Sequence, residues 1–510
     1  MKMNYYIWLF VFSAFMVSCQ KDDTEIIPDE DGIRKELRLE NFMLSQNGVQ
    51  YKAVDSIGEK ITFCVPQSVD AASMTVLFDN KDDTVFVRGK KMESGISVID
   101  FSNIGEGVEI ELRNCRFQTR KFRISVVNTD LPVVIVNTPE KRPIQSKEEW
   151  IADTHLKIWQ PNEGLTYSDT TSMKGRGNIT WTNYPKKPYA LKLKDKAGLL
   201  GLTKHKRFCL LALYHGYLGN YYMAEVSKRA PNLEWVPEGK YVELVLNGKF
   251  QGLYYLSEQI KVDKNRVNIA KMKPTDVGGA NLTGGYLLEM DNVFDEPYKF
   301  RSEIYDMPVM LRSPDEDVPQ EQFDYIKNYV NNMEAELAKI GKEESHYQDY
   351  LDVNSFADFW MASEVIYNYE LYKPRSFYMY KGRDGIDSEP GSVCKMKAGP
   401  FWDQEMIYVA HWWNNKDAHY FGALFNDKGY RDVVKKDWTL FRNNLEGKGK
   451  YPHLLESINS IYDNIRYSAY RDSALWHNGE WTSLYKDVST LNDGFTSKLD
   501  WVEEYINLLE

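Results

Sequence analysis

In Lys174-Gly175-Arg176-Gly177-Asn178 an arginine stands between two glycines. Backbone amides there can come close to an anion, and with Arg176 they could cradle a phosphate. The strand-like stretch Tyr189-Ala190-Leu191-Lys192-Leu193 follows Pro185-Lys186-Lys187-Pro188. Alternation sends Tyr189, Leu191 and Leu193 to one face and Ala190 and Lys192 to the other. A nucleotide site on a strand uses that arrangement: a small residue admits the base, and a lysine two positions on meets the phosphates. A solvated edge strand with lysines facing water has the same spacing. A second group comprises Asn368-Tyr369-Glu370 and Ala398-Gly399-Pro400-Phe401-Trp402-Asp403-Gln404-Glu405. Glu370, Asp403 and Glu405, set among aromatics, could hold Mg²⁺, a hard cation that takes oxygen ligands. One of them could accept a proton from an attacking hydroxyl. Paired structural acids explain the same residues equally well.

These groups need elements to hold them. Val133-Val134-Ile135-Val136 is continuously apolar, as suits a strand buried on both faces. Asn247-Gly248 lies between two strand-like runs and specifies a tight hairpin. Strands and helices mix from 170 to 295. Beyond 318 the pattern is helical, with Phe323, Ile326, Val330, Met333, Leu337 and Ile340 on one stripe. Asn354 is placed to cap a helix running to Tyr367, and Ser376 to Tyr380 reads as a strand. Phe495 to Leu509 is helical, with Leu499, Val502, Ile506 and Leu509 aligned. Between 31 and 130 the period is two: Ile61, Phe63 and Val65, then Val108, Ile110 and Leu112, then Phe122, Ile124 and Val126 alternate with other residues. Turns rich in Gly, Asn and Asp separate these runs, which predicts an Ig-like β-sandwich. The expected class is α+β, a β-sandwich followed by a large mixed domain that ends in helices.

The chain has 510 residues, 14% of them aromatic, which is enough for several cores and excludes a rod or a disordered tail. Its net charge of −11, with no long basic run, argues against nucleic acid as a partner. Lys2, the apolar stretch from Tyr5 to Val17, and Ser18-Cys19 describe a secretory signal over residues 1–19. The apolar core is shorter than the roughly 20 residues that a spanning helix needs. Met16-Val17-Ser18-Cys19 resembles a bacterial lipobox, so Cys19 is expected to carry lipid and residues 20–30 to act as a tether. Gln20-Lys21-Asp22-Asp23 resembles the acidic export tag of Bacteroidota surface lipoproteins, and the expected place is the outer membrane, at the cell surface. Cys64, Cys115, Cys209 and Cys394 are widely spaced with no CxxC, and four buried thiols are expected.

Several blocks in fixed order resemble the spore-coat CotH kinase family. They are Lys174 to Asn178 with Trp181 and Lys186-Lys187; Val242-Glu243-Leu244 with Asn247-Gly248; Gln251-Gly252-Leu253-Tyr254; and Ser257-Glu258-Gln259-Ile260. Arg266 to Ile269, Gly284 to Glu289, and Ala398-Gly399-Pro400 with Trp402-Asp403 continue the series, so that residues 131–510 form the expected kinase-like domain. The resemblance implies an atypical protein-kinase-like fold that binds ATP with Mg²⁺ or Mn²⁺ and phosphorylates Ser or Thr hydroxyls of surface or envelope proteins. It makes Lys192 the first choice for the phosphates and Lys187 the second, with Arg176 and Asn178 in the loop before them. Asp403, with Glu405, would hold the metal, and Glu370 would be the catalytic carboxylate. Glu258 or Glu225 would partner the lysine. The sequence also departs from the family. Gln404-Glu405 stand where Phe-Asp is common, Glu370 is a methylene longer than aspartate, and His215 and Gly219 replace Asp and Arg. These departures, the lipid anchor and the aromatic run from Tyr408 to Tyr420, with His411-Trp412-Trp413, define a second expectation: a kinase-like shell that binds a glycan or protein without catalysis.

Overall fold

The computed structural model describes residues 37–80, 83–405, 415–477 and 484–509. The signal, the tether, Cys19 and His411-Trp412-Trp413 lie outside them.

The N-terminal strands form two sheets. In spatial order the first comprises Val49–Lys52, Met43–Gln46, Met74–Leu77 and Val98–Ile99. The second comprises Asp55–Ile57, Lys60–Val65, Thr119–Asn128, Val108–Asn114, Asp83–Val87 and Lys90–Lys91. Period-two alternation turns Phe63, Val65, Ile110, Leu112, Ile124 and Val126 of the second sheet toward Leu44, Met74 and Val76 of the first, in one core. Cys64 and Val127 point the other way, into a cluster with Val133, Ile135, Trp159, Val245 and Phe250. That cluster joins the N-terminal unit to a closed seven-stranded barrel. At the same seam the buried carboxylate of Asp55 accepts from Lys157 at 2.7 Å and from Asn137 at 2.8 Å.

Around the barrel run Val133–Asn137, Ile151–Gln160, Gly164–Gly175, Tyr189–Ala197, His205–Leu211, Lys249–Glu258 and Gly239–Leu246. Val134 and Val136 face its interior, with Tyr189, Leu191, Leu193, Phe208 and Leu244, while Val133 and Ile135 face the seam. Burial on both faces is why this strand is apolar at every position. Asn247 (φ 51°) and Gly248 (φ 66°) make the hairpin, both in the left-handed region that a type I′ turn requires.

A five-stranded sheet follows, in the order Lys299–Arg301, Pro308–Ser313, Tyr286–Met290, Phe377–Lys381, Met396–Ala398. Its Tyr286, Leu288, Met290, Phe377 and Met379 face the helical core. Leu287, Tyr378 and Tyr380 face Trp235, Ile260 and Trp402 on the other side. The helices are α1 (Ile179–Asn183), α2 (Gly219–Ser227), α3 (Gln320–Lys339), α4 (Val353–Ile366), α5 (Tyr420–Leu424), α6 (Lys428–Leu445), α7 (Leu454–Trp476) and α8 (Leu484–Asn507). The predicted α3 stripe is the buried one, with Ile326, Val330, Met333 and Leu337 in the core.

Three local expectations need correction. Asp352, and not Asn354, caps α4, its carboxylate accepting from the Ser355 amide at 2.8 Å, while Asn354 is exposed as the second residue of the helix. Helix α8 begins at Leu484, well before Phe495, because Leu484, Val488 and Leu491 extend its buried stripe upstream. Cys115 is exposed just past a strand end, so the four thiols, all free, are not all buried. No described helix is long and apolar enough to cross a membrane.

Candidate functional site

The acidic segment leaves the five-stranded sheet at Ala398 and is fastened at successive residues. Phe401 stacks on Phe359 of α4, with ring centroids 4.0 Å apart and planes 4° from parallel. Trp402 packs beside Trp235 and Ile260, and the Arg176 guanidinium lies 5.4 Å from its ring. Asp403 is exposed at φ 64°, a conformation that aspartate tolerates better than most residues. The next residues lie against the start of α2: a Cβ on Gly219 would stand 2.3 Å from the Glu405 carbonyl carbon, and one on Gly216 2.6 Å from its oxygen. The backbone occupies the space that an arginine at 219 would need.

Asp403 stands at the centre of a field of acids. Its charge acts on Glu289, Asp291, Glu370, Glu405 and the ring of His215. Burial is the first cause of the upward shift at all four carboxyls, and Asp403 adds to it. Glu289 is pushed up to about 7 against the pull of Arg312, whose Nε is 3.4 Å away. Glu405 is also pushed up to about 7, although the His215 amide, Arg176 and Lys186 favour its charged form. Its Oε2 is buried with no hydrogen-bond partner among the described residues. Asp291 is raised while accepting from Val293 N–H at 2.8 Å and Ser376 N–H at 3.1 Å. Glu370 occupies the 3-10 turn Tyr369–Tyr372 that follows the left-handed Tyr367, and it is raised despite its 3.2 Å pair with Arg375.

Asp403 thus lies within electrostatic reach of Glu370 and Glu405, and Arg176 within reach of Glu405. The structure does not bring the other expected residues to them. Lys192 is exposed on the outer barrel wall, opposite Ser172 and Arg207 in register, and enters none of the shifts described for these acids. Lys187 donates to the Trp181 carbonyl and lies 5.6 Å from that ring. Asn178 accepts from Lys147 at 2.7 Å. Glu258 is buried and accepts from the Thr203 amide at 2.8 Å, from the Thr203 hydroxyl and from Glu238 N–H at 3.2 Å. Glu225 binds Lys228 at 2.7 Å and Arg229 at 2.6 Å. Neither acid partners Lys192 or Lys187. Gly175 makes room for an indole, since a Cβ there would stand 2.4 Å from the Trp181 ring.

Sequence reasoning missed the lysine with a buried acid. Lys186 pairs with Asp472 of α7 at 2.6 Å, and neither side chain is exposed at all. Glu289 and Asp291 were also missed as site acids. Glu289 closes the Gly284 to Glu289 block, but nothing in a linear pattern brings it to Asp403. Cations gather on the barrel side: Arg176, Arg266, Arg207 and Lys261 all act on the buried Cys209 thiol. Arg312 bridges the two sides, beside both Lys261 and Glu289. No group of three or more described His, Cys, Asp or Glu side chains is arranged to hold a metal ion. A cavity of about 750 Å³, bounded by Thr203, Trp235, Glu238, Glu258, Asn444 and Tyr451, does not include these acids.

Residues 173–507 match the family described as CotH kinase protein, and the chain belongs to that family. It is a kinase-like protein on that ground, of a family that implies a nucleotide and a divalent metal in general. No curated protein matches the chain. Among solved structures, one provisionally described as a glycoside hydrolase, from Bacteroides thetaiotaomicron, is 11% identical. The alignment covers 57% of this chain and 88% of that one at a TM-score of 0.16.

Proposed function

We propose that this chain is an exported lipoprotein kinase that transfers the γ-phosphate of ATP to Ser or Thr hydroxyls of surface or envelope proteins. The observation that carries this reading is the convergence of Asp403, Glu370, Glu289, Asp291 and Glu405 in one field, with Arg176 and Arg312 beside it, in a member of the CotH kinase family. Residues 31–130 are read as an Ig-like sandwich and 131–510 as the kinase-like domain. Residues 1–19 are read as the signal, 20–30 as the tether and Cys19 as the lipid-bearing residue at the cell surface.

The donor set suits Mg²⁺ or Mn²⁺ even without a three-acid cage. Magnesium usually keeps waters and takes one or two carboxylates together with substrate phosphates. Asp403 and Glu405 would supply those carboxylates, and the buried Oε2 of Glu405, without a hydrogen-bond partner among the described residues, is the atom that a cation would satisfy. The metal would neutralise charge on the phosphates. Arg176 would hold phosphate oxygens from the barrel side. Glu370 would accept the hydroxyl proton as that oxygen bonds to the γ-phosphorus and the bond to the bridging oxygen of ADP breaks. Its raised pKa makes it a stronger base than an ordinary carboxylate.

Calorimetry with ATP and Mn²⁺, followed by transfer of labelled phosphate to the protein itself or to an added hydroxyl-rich acceptor, tests the proposal. Asp403→Ala should abolish both binding and transfer, and full activity in that variant removes the assignment. The second reading, a kinase-like shell holding a glycan or protein, draws on the Arg375 clamp on Glu370. Glycan-array binding that survives Asp403→Ala, with no thermal shift on adding ATP and Mn²⁺, would favour it.

A further inference from the structure

Helix α7 reaches the acidic segment through a buried polar chain. Asp472 Oδ1 accepts from Lys186 Nζ at 2.6 Å and from the Leu253 amide at 2.9 Å. Its Oδ2 accepts from the Tyr217 hydroxyl at 3.1 Å. Lys186 also donates to the Leu253 carbonyl at 2.6 Å, and its Nζ lies 4.7 Å from the Tyr254 ring centroid. The approach depends on Gly252 (φ 91°), where a Cβ would stand 2.1 Å from Asp472 Oδ1. Four residues on, Trp476 Nε1 donates to the Gln251 carbonyl at 2.9 Å. The Gln251-Gly252 motif thus serves as the landing for α7.

The other end of this chain touches Glu405. Tyr217 lies in the short loop 214–218, whose His215 amide bonds the Glu405 carboxylate and whose Gly216, with Gly219 at the start of α2, receives the Glu405 backbone. Lys186 adds a direct electrostatic pull on the same carboxylate. The path from α7 to the segment is therefore contiguous: Asp472, Tyr217, His215-Gly216, Glu405.

We propose that Asp472 is a positioning residue for the acidic segment: through Lys186 and the Tyr217 loop, helix α7 fixes where Glu405, and with it Asp403, stands. Helix α7 is then a working part of the site. The metal readout used below rests on the proposed function, whereas the exchange readout does not.

Asp472→Asn keeps the shape and removes the charge. Because an unpaired buried Lys186 can prevent folding, Tyr217→Phe serves as a gentler variant that deletes only the hydroxyl. A third, Lys186→Met with Asp472→Leu, replaces the ion pair by apolar packing. Mn²⁺ binding, followed by electron paramagnetic resonance, should weaken about tenfold or more in all three, the range found when groups supporting a metal ligand are removed. Hydrogen exchange of peptides covering 398–405 should accelerate in each, while peptides of α3 keep their protection. The apolar pair should recover melting temperature without recovering Mn²⁺ affinity, which a purely structural role for Asp472 would not produce. Unchanged Mn²⁺ affinity and unchanged exchange in the folded variants would overturn the proposal. If the unaltered protein binds no Mn²⁺, the proposed function falls, and the exchange measurement alone decides this inference.

Discussion

Glu405 shows how one side chain can report on the whole site. Burial and the neighbouring Asp403 push its carboxyl from 4.5 up to about 7. The folded state favours the protonated form, so its contribution to stability is present below the unfolded value and is lost as pH rises through about 7. Glu405→Gln should therefore raise the melting temperature at pH 8 and leave it nearly unchanged at pH 4. The gain is on the order of 1–3 kcal/mol, since a tenfold change in acidity between the folded and unfolded chain is worth about 1.4 kcal/mol. Thermal melts at the two pH values check this. Saturating Mn²⁺ should narrow the gap between the two proteins at pH 8, because a bound cation offsets the charge that the fold disfavours. At this scale the sequence was half legible. Arg176, Glu370, Asp403 and Glu405, the residues proposed for the site, stand in short motifs that a linear reading can single out. Lys192 is singled out by strand spacing and by the family resemblance, and the structure leaves it in solvent. Six positions earlier Lys186 is fully buried, and its partner lies 286 positions away on another element. No local pattern encodes such a pair.

Elements explain the departures from the family better than single residues do. Gly219 looked like the loss of an arginine, but the segment after Asp403 packs directly on it. Gly219→Ala forces a Cβ to within 2.3 Å of the Glu405 backbone. Overpacking of that kind typically costs about 1–3 kcal/mol. The expected outcome is a lower melting temperature together with weakened Mn²⁺ binding, read by denaturation and by paramagnetic resonance on the same sample. A neutral substitution at 219 would show that the 404–405 backbone is free to move away. Legibility at this scale followed burial. The Asn247-Gly248 hairpin, the Val133 to Val136 strand and the α3 stripe were all readable, because each is set by a turn requirement or by a single buried pattern. The α4 cap was misread by two residues, since Asp352 and Asn354 are both capping types and only the course of the chain decides between them.

At the scale of the molecule, the N-terminal sheets are welded to the barrel. Cys64 and Val127 from one side meet Val133, Ile135, Trp159, Val245 and Phe250 from the other, and Arg471 of α7 donates to the Asn128 carbonyl and to Glu243, the latter at 2.6 Å. A chain beginning at residue 131 should expose that apolar face and associate. Size-exclusion chromatography of the truncated protein beside the full chain tests this; a monodisperse, equally stable fragment would show that the seam contributes little. The period-two runs announced two-layered β-structure, yet the outward-facing Cys64 and Val127 gave no hint that the second face was covered. A pattern of alternation reports which residues avoid water on one side only.

That seam has a mechanical meaning for any protein held by its first modified cysteine. Under the proposed anchor at Cys19, the sheets and the barrel joined at that seam would move as one block, and the length of chain from 19 to 37 would set the distance between a membrane and the acids. Fully stretched at about 3.3 Å per residue, the stretch from 19 to 37 reaches at most roughly 60 Å. If the chain is the tethered kinase proposed above, acceptors beyond the radius set by that length and the breadth of the block would be served only by travelling to it, and lengthening the stretch should widen the set of neighbours that become labelled.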